Sequence, residues 1–189
     1  MIDPVLFGLA VLTLLGTPGP TNTLLATSGA ASGISRSLPL LAAELAGYAI
    51  AVAAIRLVLG PLINAFPVVG IGLKLAVVFY LGWVAYRLWT HNAALAGTQT
   101  VSWRSVFVTT LLNPKALIFA LGIIPAEHPQ LFWYFVAFAV AVPGVGFGWI
   151  LVGRAIGAAS GERHAGLIRR VASVALVGFA GMIAASVLR

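Results

Sequence analysis

No cysteine occurs in this chain, which removes disulfide frameworks, thiolate metal sites and thiol redox chemistry together. Charge is scarce as well: 8% of the 189 residues are charged, and only 4 are acidic. With 61% hydrophobic residues and a mean hydropathy of +1.07, the chain has too little polar surface to cover a water-soluble globule. His91, His128 and His164 are dispersed without metal-ligand spacing. Neither Gly-x-Ser-x-Gly nor His-Glu-x-x-His occurs. The expectation is therefore a protein with no metal and no cofactor that is not an enzyme.

What the chain does contain is six apolar runs, each near the ~20 residues a spanning helix needs: Pro4 to about Thr27, Leu38 to Gly60, Phe66 to about Trp89, Ser105 to Pro125, Gln130 to Gly153, and Val171 to Leu188. Their short connections leave no length for a separate soluble domain. This predicts one all-α integral membrane domain over 1–189 with six transmembrane helices and the bilayer as its solvent. Met1-Ile2-Asp3-Pro4 lacks the basic start of a secretory signal, so the first run is expected to be a retained helix. Gly60-Pro61 reads as the stop of the second run.

The formal charge of +7 comes from basic residues dispersed among helix ends, which argues for orientation in a membrane and against nucleic acid. Arg36, Arg87, Arg104, Arg154, Arg163, Arg169 and Arg170 fall at connections on one side, against Arg189 on the other. The positive-inside rule then places those connections in the cytoplasm and both termini outside. Six helices make a thin bundle, which leaves room for a homodimer.

Two runs are interrupted near their middles, by Gly16-Thr17-Pro18-Gly19-Pro20-Thr21-Asn22 and by Leu112-Asn113-Pro114-Lys115-Ala116. A shift of 96 residues superposes Thr13 on Thr109, Thr17 on Asn113 and Pro18 on Pro114. Two three-helix halves, about 1–95 and about 99–189, each cross the bilayer an odd number of times. They must be inverted relative to each other, as in secondary transporters whose sites lie at broken helices near the midplane. Helices 1 and 4 are expected to be broken. Thr17-Pro18 and Asn113-Pro114 each read as a helix restart, with Thr or Asn as N-cap and proline in the first helical position. Two such restarts would turn positive dipole ends toward one site, and Lys115 would add a full charge beside them, favouring a carboxylate.

The stretch Thr17-Pro18-Gly19-Pro20-Thr21-Asn22-Thr23-Leu24-Leu25-Ala26-Thr27-Ser28-Gly29-Ala30, the basic turn ending in Arg36, and Asn113-Pro114-Lys115-Ala116 together resemble the lysine exporter (LysE/RhtB) family of bacterial amino-acid efflux proteins. The six-run layout agrees over essentially the whole chain. The resemblance implies a proton-motive-force-driven exporter of amino acids or related metabolites in the bacterial cytoplasmic membrane. It carries over to Pro18, Gly19, Pro20 and Asn22 in the first motif and to Asn113, Pro114 and Lys115 in the second. Helix 2 departs from the family's glycine-rich start, reading Leu41-Ala42-Ala43-Glu44-Leu45-Ala46-Gly47-Tyr48.

Glu44 lies about 9 Å into its helix at the helical rise. It is an intramembrane carboxylate and hence a functional candidate. It shares a face with Gly47 and Tyr48. Two roles stay open, binding a substrate amine or taking up the coupling proton, and a third reading has it reach the cytoplasmic interface. The expected small-molecule site comprises Thr17, Pro18, Gly19, Pro20, Thr21, Asn22, Glu44, Tyr48, Asn113, Pro114 and Lys115. Arg56 and Lys74, nearer helix ends, are expected to extend toward headgroups. The Gly29-x3-Gly33 and Gly153-x3-Gly157 spacings fall in or near the expected loops, where they would not pack helices.

Overall fold

The computed structural model describes residues 3–90, 101–125 and 128–159, with isolated positions between 174 and 185. Every regular element among the described residues is helical. In chain order these are α1 (Pro4–Gly16), α2 (Pro20–Ser32), α3 (Ile34–Ser37), α4 (Pro39–Ala54), a π-turn (Ile55–Leu59), α5 (Gly60–Ala65), α6 (Pro67–Thr90), α7 (Trp103–Leu111), α8 (Lys115–Ile118), a second π-turn (Phe119–Ile123) and α9 (Leu131–Ala159). The connection at 91–100, residues 160–170 with Arg163, Arg169 and Arg170, most of the last apolar run, Glu127 and the side chain of Lys74 lie outside the described residues.

The helix ends follow from local chemistry. Asp3 caps α1 by accepting the Val5 N–H at 2.7 Å with Pro4 in the first turn, and Ser102 caps α7 through the Ser105 N–H at 3.1 Å. Gly33, at φ 78°, ends α2 where a residue with a side chain would be strained. Gly60-Pro61 does not stop its helix. The Gly60 N–H bonds back to Ile55, five residues away, and the helix continues to Ala65. The wider turn absorbs the donor that Pro61 lacks, and the true break comes at Phe66, ahead of Pro67.

Ile34–Ile63 and Leu131–Gly157, with 30 and 27 residues, are long and apolar enough to cross a membrane. α1 with α2, bent by 63°, and α7 with the helix after it, bent by 49°, qualify as broken spans. That makes two to four candidate spans among the described residues, by length and composition. Val5, Leu57, Phe79 and Phe132 are 69%, 77%, 76% and 69% exposed, a distribution that suits hydrocarbon rather than water.

The packed interior has two apolar clusters with a polar layer between them. The larger holds Phe7, Val11, Leu15, Tyr48, Val52, Phe119, Phe138 and Val142, among others; the smaller holds Leu25, Leu40, Ala43, Val106 and Ile150. Along α1–α2 and α9 the chain passes from the larger to the smaller, and along α4 and α7–α8 it passes the other way. The two broken helices therefore run antiparallel, pairing Leu25 with Val106 at one end and Leu15 with Ala116 at the other.

α2 and α9 are in backbone contact. A methyl group at Gly29 would strike the Ile150 carbonyl, one at Gly153 the Ala26 carbonyl, and one at Gly157 would lie 3.0 Å from Ala30 Cα. Gly153-x3-Gly157, expected to be idle in a loop, thus packs α9 against α2 together with Gly29, because α2 reaches Ser32 and α9 reaches Ala159, whereas Gly33 meets no neighbour.

Candidate functional site

The polar layer collects Thr21, Asn22, Glu44, Thr110, Asn113 and Lys115, each no more than 5% exposed. The two breaks supply most of them, so the interruptions lie against each other in the interior. Tyr48, from the adjoining apolar cluster, turns its hydroxyl into the same layer.

Asn113 is the hub. Its Oδ1 accepts the Lys115 N–H at 3.1 Å and its carbonyl accepts the Ala116 N–H at 2.9 Å, so it satisfies the first donors of α8 from one residue before Pro114, which holds the N-cap position. Its Nδ2 donates to Thr21 Oγ1 at 3.1 Å and to Tyr48 Oη at 3.2 Å. The Thr110 hydroxyl donates to the Val106 carbonyl at 2.8 Å, so Thr21 must supply the hydrogen of the 3.1 Å contact between the two threonines. The order Asn113 → Thr21 → Thr110 → Val106 is thereby fixed.

The first break is built differently from the expectation. Thr17 is not an N-cap: it closes α1, its own N–H and hydroxyl both bonding to the Thr13 carbonyl at 3.0 and 2.9 Å. Pro18 lies between the helices, and the restart uses Pro20, preceded by an extended Gly19 that has no side chain to cap with. Two prolines two residues apart offer two possible starts, and the chain takes the second. Its Asn22 turns back, Nδ2 donating to the Leu15 and Thr17 carbonyls at 2.7 and 2.9 Å. Those carbonyls are the free acceptors at the end of α1.

Lys115 meets the same two carbonyls. Its Nζ donates to Leu15 at 3.3 Å and to Thr17, with Cε and Nζ lying over Gly19. The ammonium faces the negative end of the α1 dipole rather than standing free beside two positive ends. It makes no ion pair with Glu44. Glu44 is 1% exposed, and its Oε2 has no hydrogen-bond partner. Reaching the headgroups is thereby excluded for this side chain. The Tyr48 hydrogen likewise has no acceptor among the described residues. One open acceptor and one open donor thus lie a turn apart on one face of α4.

Of the eleven expected site residues, Thr21, Asn22, Glu44, Tyr48, Asn113 and Lys115 share this layer by side chain. Gly19 and Pro114 line it, Thr17 enters through its carbonyl, and Pro18 and Pro20 are half-buried around it. Thr110 was not singled out by the repeat, which matches Thr13 to its neighbour Thr109. Arg56 does not extend to headgroups. Its guanidinium holds the Ala120, Ile124 and Pro125 carbonyls at 3.3, 3.0 and 2.7 Å, where the second broken helix ends, and lies 5.6 Å from the Phe135 ring centre. No group of residues that could hold a metal ion occurs among the described residues. No family model, no curated protein and no solved structure matches the chain.

Proposed function

We propose that this chain is a secondary active transporter that exports amino acids or related small zwitterionic metabolites, coupled to the proton motive force. In this reading it lies in the bacterial cytoplasmic membrane as six helices in two inverted three-helix repeats, with both termini outside, and its two halves rock about the paired breaks. The observation that carries the reading is that two breaks 96 residues apart in sequence meet in one buried polar layer, on antiparallel helices. The open valences of Glu44 and Tyr48 support it, since ionisable groups buried at membrane depth belong to substrate and proton paths. Glu44 is the group that binds a substrate amine or takes the coupling proton. With Lys115 engaged by carbonyls, a substrate carboxylate is left to the N–H groups of the first turn of α2.

A passive pore or a non-transporting subunit is the other reading that the sequence leaves open. The apolar clusters that flank the polar layer on both sides favour alternating closure over a standing conduit. Counterflow tests the choice: liposomes holding the protein and excess unlabelled amino acid should transiently concentrate the labelled amino acid. Equilibration without overshoot, across a panel of amino acids, would show a pore. No flux at all would remove transport.

A further inference from the structure

We propose that Glu44 carries the proton rather than a substrate amine, and that Gly146 is the positioning residue that seats its carboxyl group between α4 and α9. The inference rests on the transporter reading and deepens it. A methyl group at Gly146 would collide with Glu44 Oε2, and would also come within 2.9 Å of Leu41 Cδ2 and 3.2 Å of Leu25 Cδ1. The absent side chain of α9 is what makes room for the oxygen.

The oxygen is buried beside Gly146 of α9; Leu25 Cδ1 of α2 and Leu41 Cδ2 of α4 border the same position of α9, and no donor reaches the oxygen. Lys115 on α8 and Tyr48 on α4 are the titratable groups that face Glu44 among the described residues. The Lys115 ammonium is held by Leu15 and Thr17, and the Tyr48 hydroxyl accepts from Asn113. Arg56 turns to the end of the second broken helix, Tyr134 packs on Phe7, and Arg36, Arg104 and Arg154 are exposed.

A substrate ammonium could reach Oε2 only by displacing Gly146 or its neighbours; a hydrogen on that oxygen needs almost no room. An ionised carboxylate without hydrogen bonds is costly in such a place, whereas the neutral acid is tolerated. Closure of α4 onto Gly146 and occupancy of Glu44 by a proton are therefore linked, and release of the proton requires the two helices to part. No bond other than the O–H bond is made or broken, and the proton passes to water on the side that opens.

The absence of native cysteine makes the test direct. Spin labels on cysteines replacing the exposed Ala42 and Leu151 report the α4–α9 distance in the full chain in liposomes. The distance should shorten as pH falls. Glu44→Gln should hold the short distance at every pH, and Gly146→Ala should prevent it at every pH. Glu44→Gln, which preserves size, carries the test where Gly146→Ala lowers the yield. A distance independent of pH, a Glu44→Gln protein that keeps the native pH response, or shortening by methylammonium at fixed pH would each overturn the proposal. The transporter reading fails separately: a pH-linked distance without counterflow leaves the linkage standing, and counterflow with a pH-independent distance removes the linkage alone.

Discussion

Asn22 and Lys115 satisfy the same two acceptors, which makes their energies non-additive in a way that can be worked out beforehand. The Leu15 and Thr17 carbonyls each accept one bond from Asn22 Nδ2 and one from Lys115 Nζ. Asn22→Leu removes two neutral bonds, a loss of about 1–3 kcal/mol at about 0.5–1.5 kcal/mol each. Lys115→Met removes two stronger bonds but also the several kcal/mol that burying an ammonium costs, so its net effect should stay within about 2 kcal/mol. After either change each carbonyl still has a donor. After both, the buried Leu15 carbonyl and the half-buried Thr17 carbonyl have none, at about 1–3 kcal/mol apiece. The double variant should be destabilised by about 2–6 kcal/mol beyond the sum of the singles. Unfolding free energies of the four proteins in mixed micelles measure this coupling. Additivity within about 0.5 kcal/mol would refute the shared-acceptor reasoning. Lys115→Met is also expected to lose counterflow while keeping its fold, and normal transport by it would remove Lys115 from the mechanism.

Three further outcomes follow from the packing. Arg56→Ala leaves three carbonyls at the end of the second π-turn without their cation and should cost about 1–3 kcal/mol in the same unfolding assay; Arg56→Lys should recover less than half, since an ammonium cannot span the three acceptors as the guanidinium fork does. Gly153→Leu drives a side chain into the Ala26 carbonyl and should cost at least about 1–3 kcal/mol, whereas Gly148→Ala, which points into open space in the middle of α9, should stabilise by about 0.5–1 kcal/mol. Thr110→Val leaves the Thr21 hydrogen without its acceptor and should cost about 1–3 kcal/mol, read as a lowered melting temperature.

The long apolar helices and the two breaks are legible because they rest on composition and on proline, whose effects are local. Proline lacks a donor wherever it stands, and a glycine-proline cluster inside an apolar run interrupts it in almost any context. Which of two prolines restarts the helix is not local. Thr17-Pro18 and Gly19-Pro20 are both acceptable starts, and Thr17 has the better capping side chain. The second wins in a structure where the Leu15 and Thr17 carbonyls meet Asn22 and Lys115, donors that lie 5 to 100 residues away. Arg56 was misplaced for a related reason. Its distance from the helix end permits it to reach headgroups, and only the fold brings three carbonyls closer. Gly146 carries no signal at all in a run with several glycines, until the neighbour that needs its missing side chain is known.

The sequence pairs Thr17 with Asn113, yet the fold uses them in opposite senses. Asn113 donates through its side chain and Thr17 accepts through its backbone. Four of the bonds across the polar layer share this polarity, Asn113 Nδ2 and Lys115 Nζ of the second break donating to Thr21, Tyr48, Leu15 and Thr17, whereas Thr21 donates the other way, to Thr110. At the end of the larger apolar cluster the direction reverses, with Arg56 donating to Ala120, Ile124 and Pro125. The two sets share no donor and no acceptor. A tilt that separates Arg56 from its carbonyls can therefore leave the bonds around Asn113 intact, while sliding one half along the other by a residue would break both sets at once. In the proposed transporter, rocking about the paired breaks is therefore expected to cost less than sliding of the two halves.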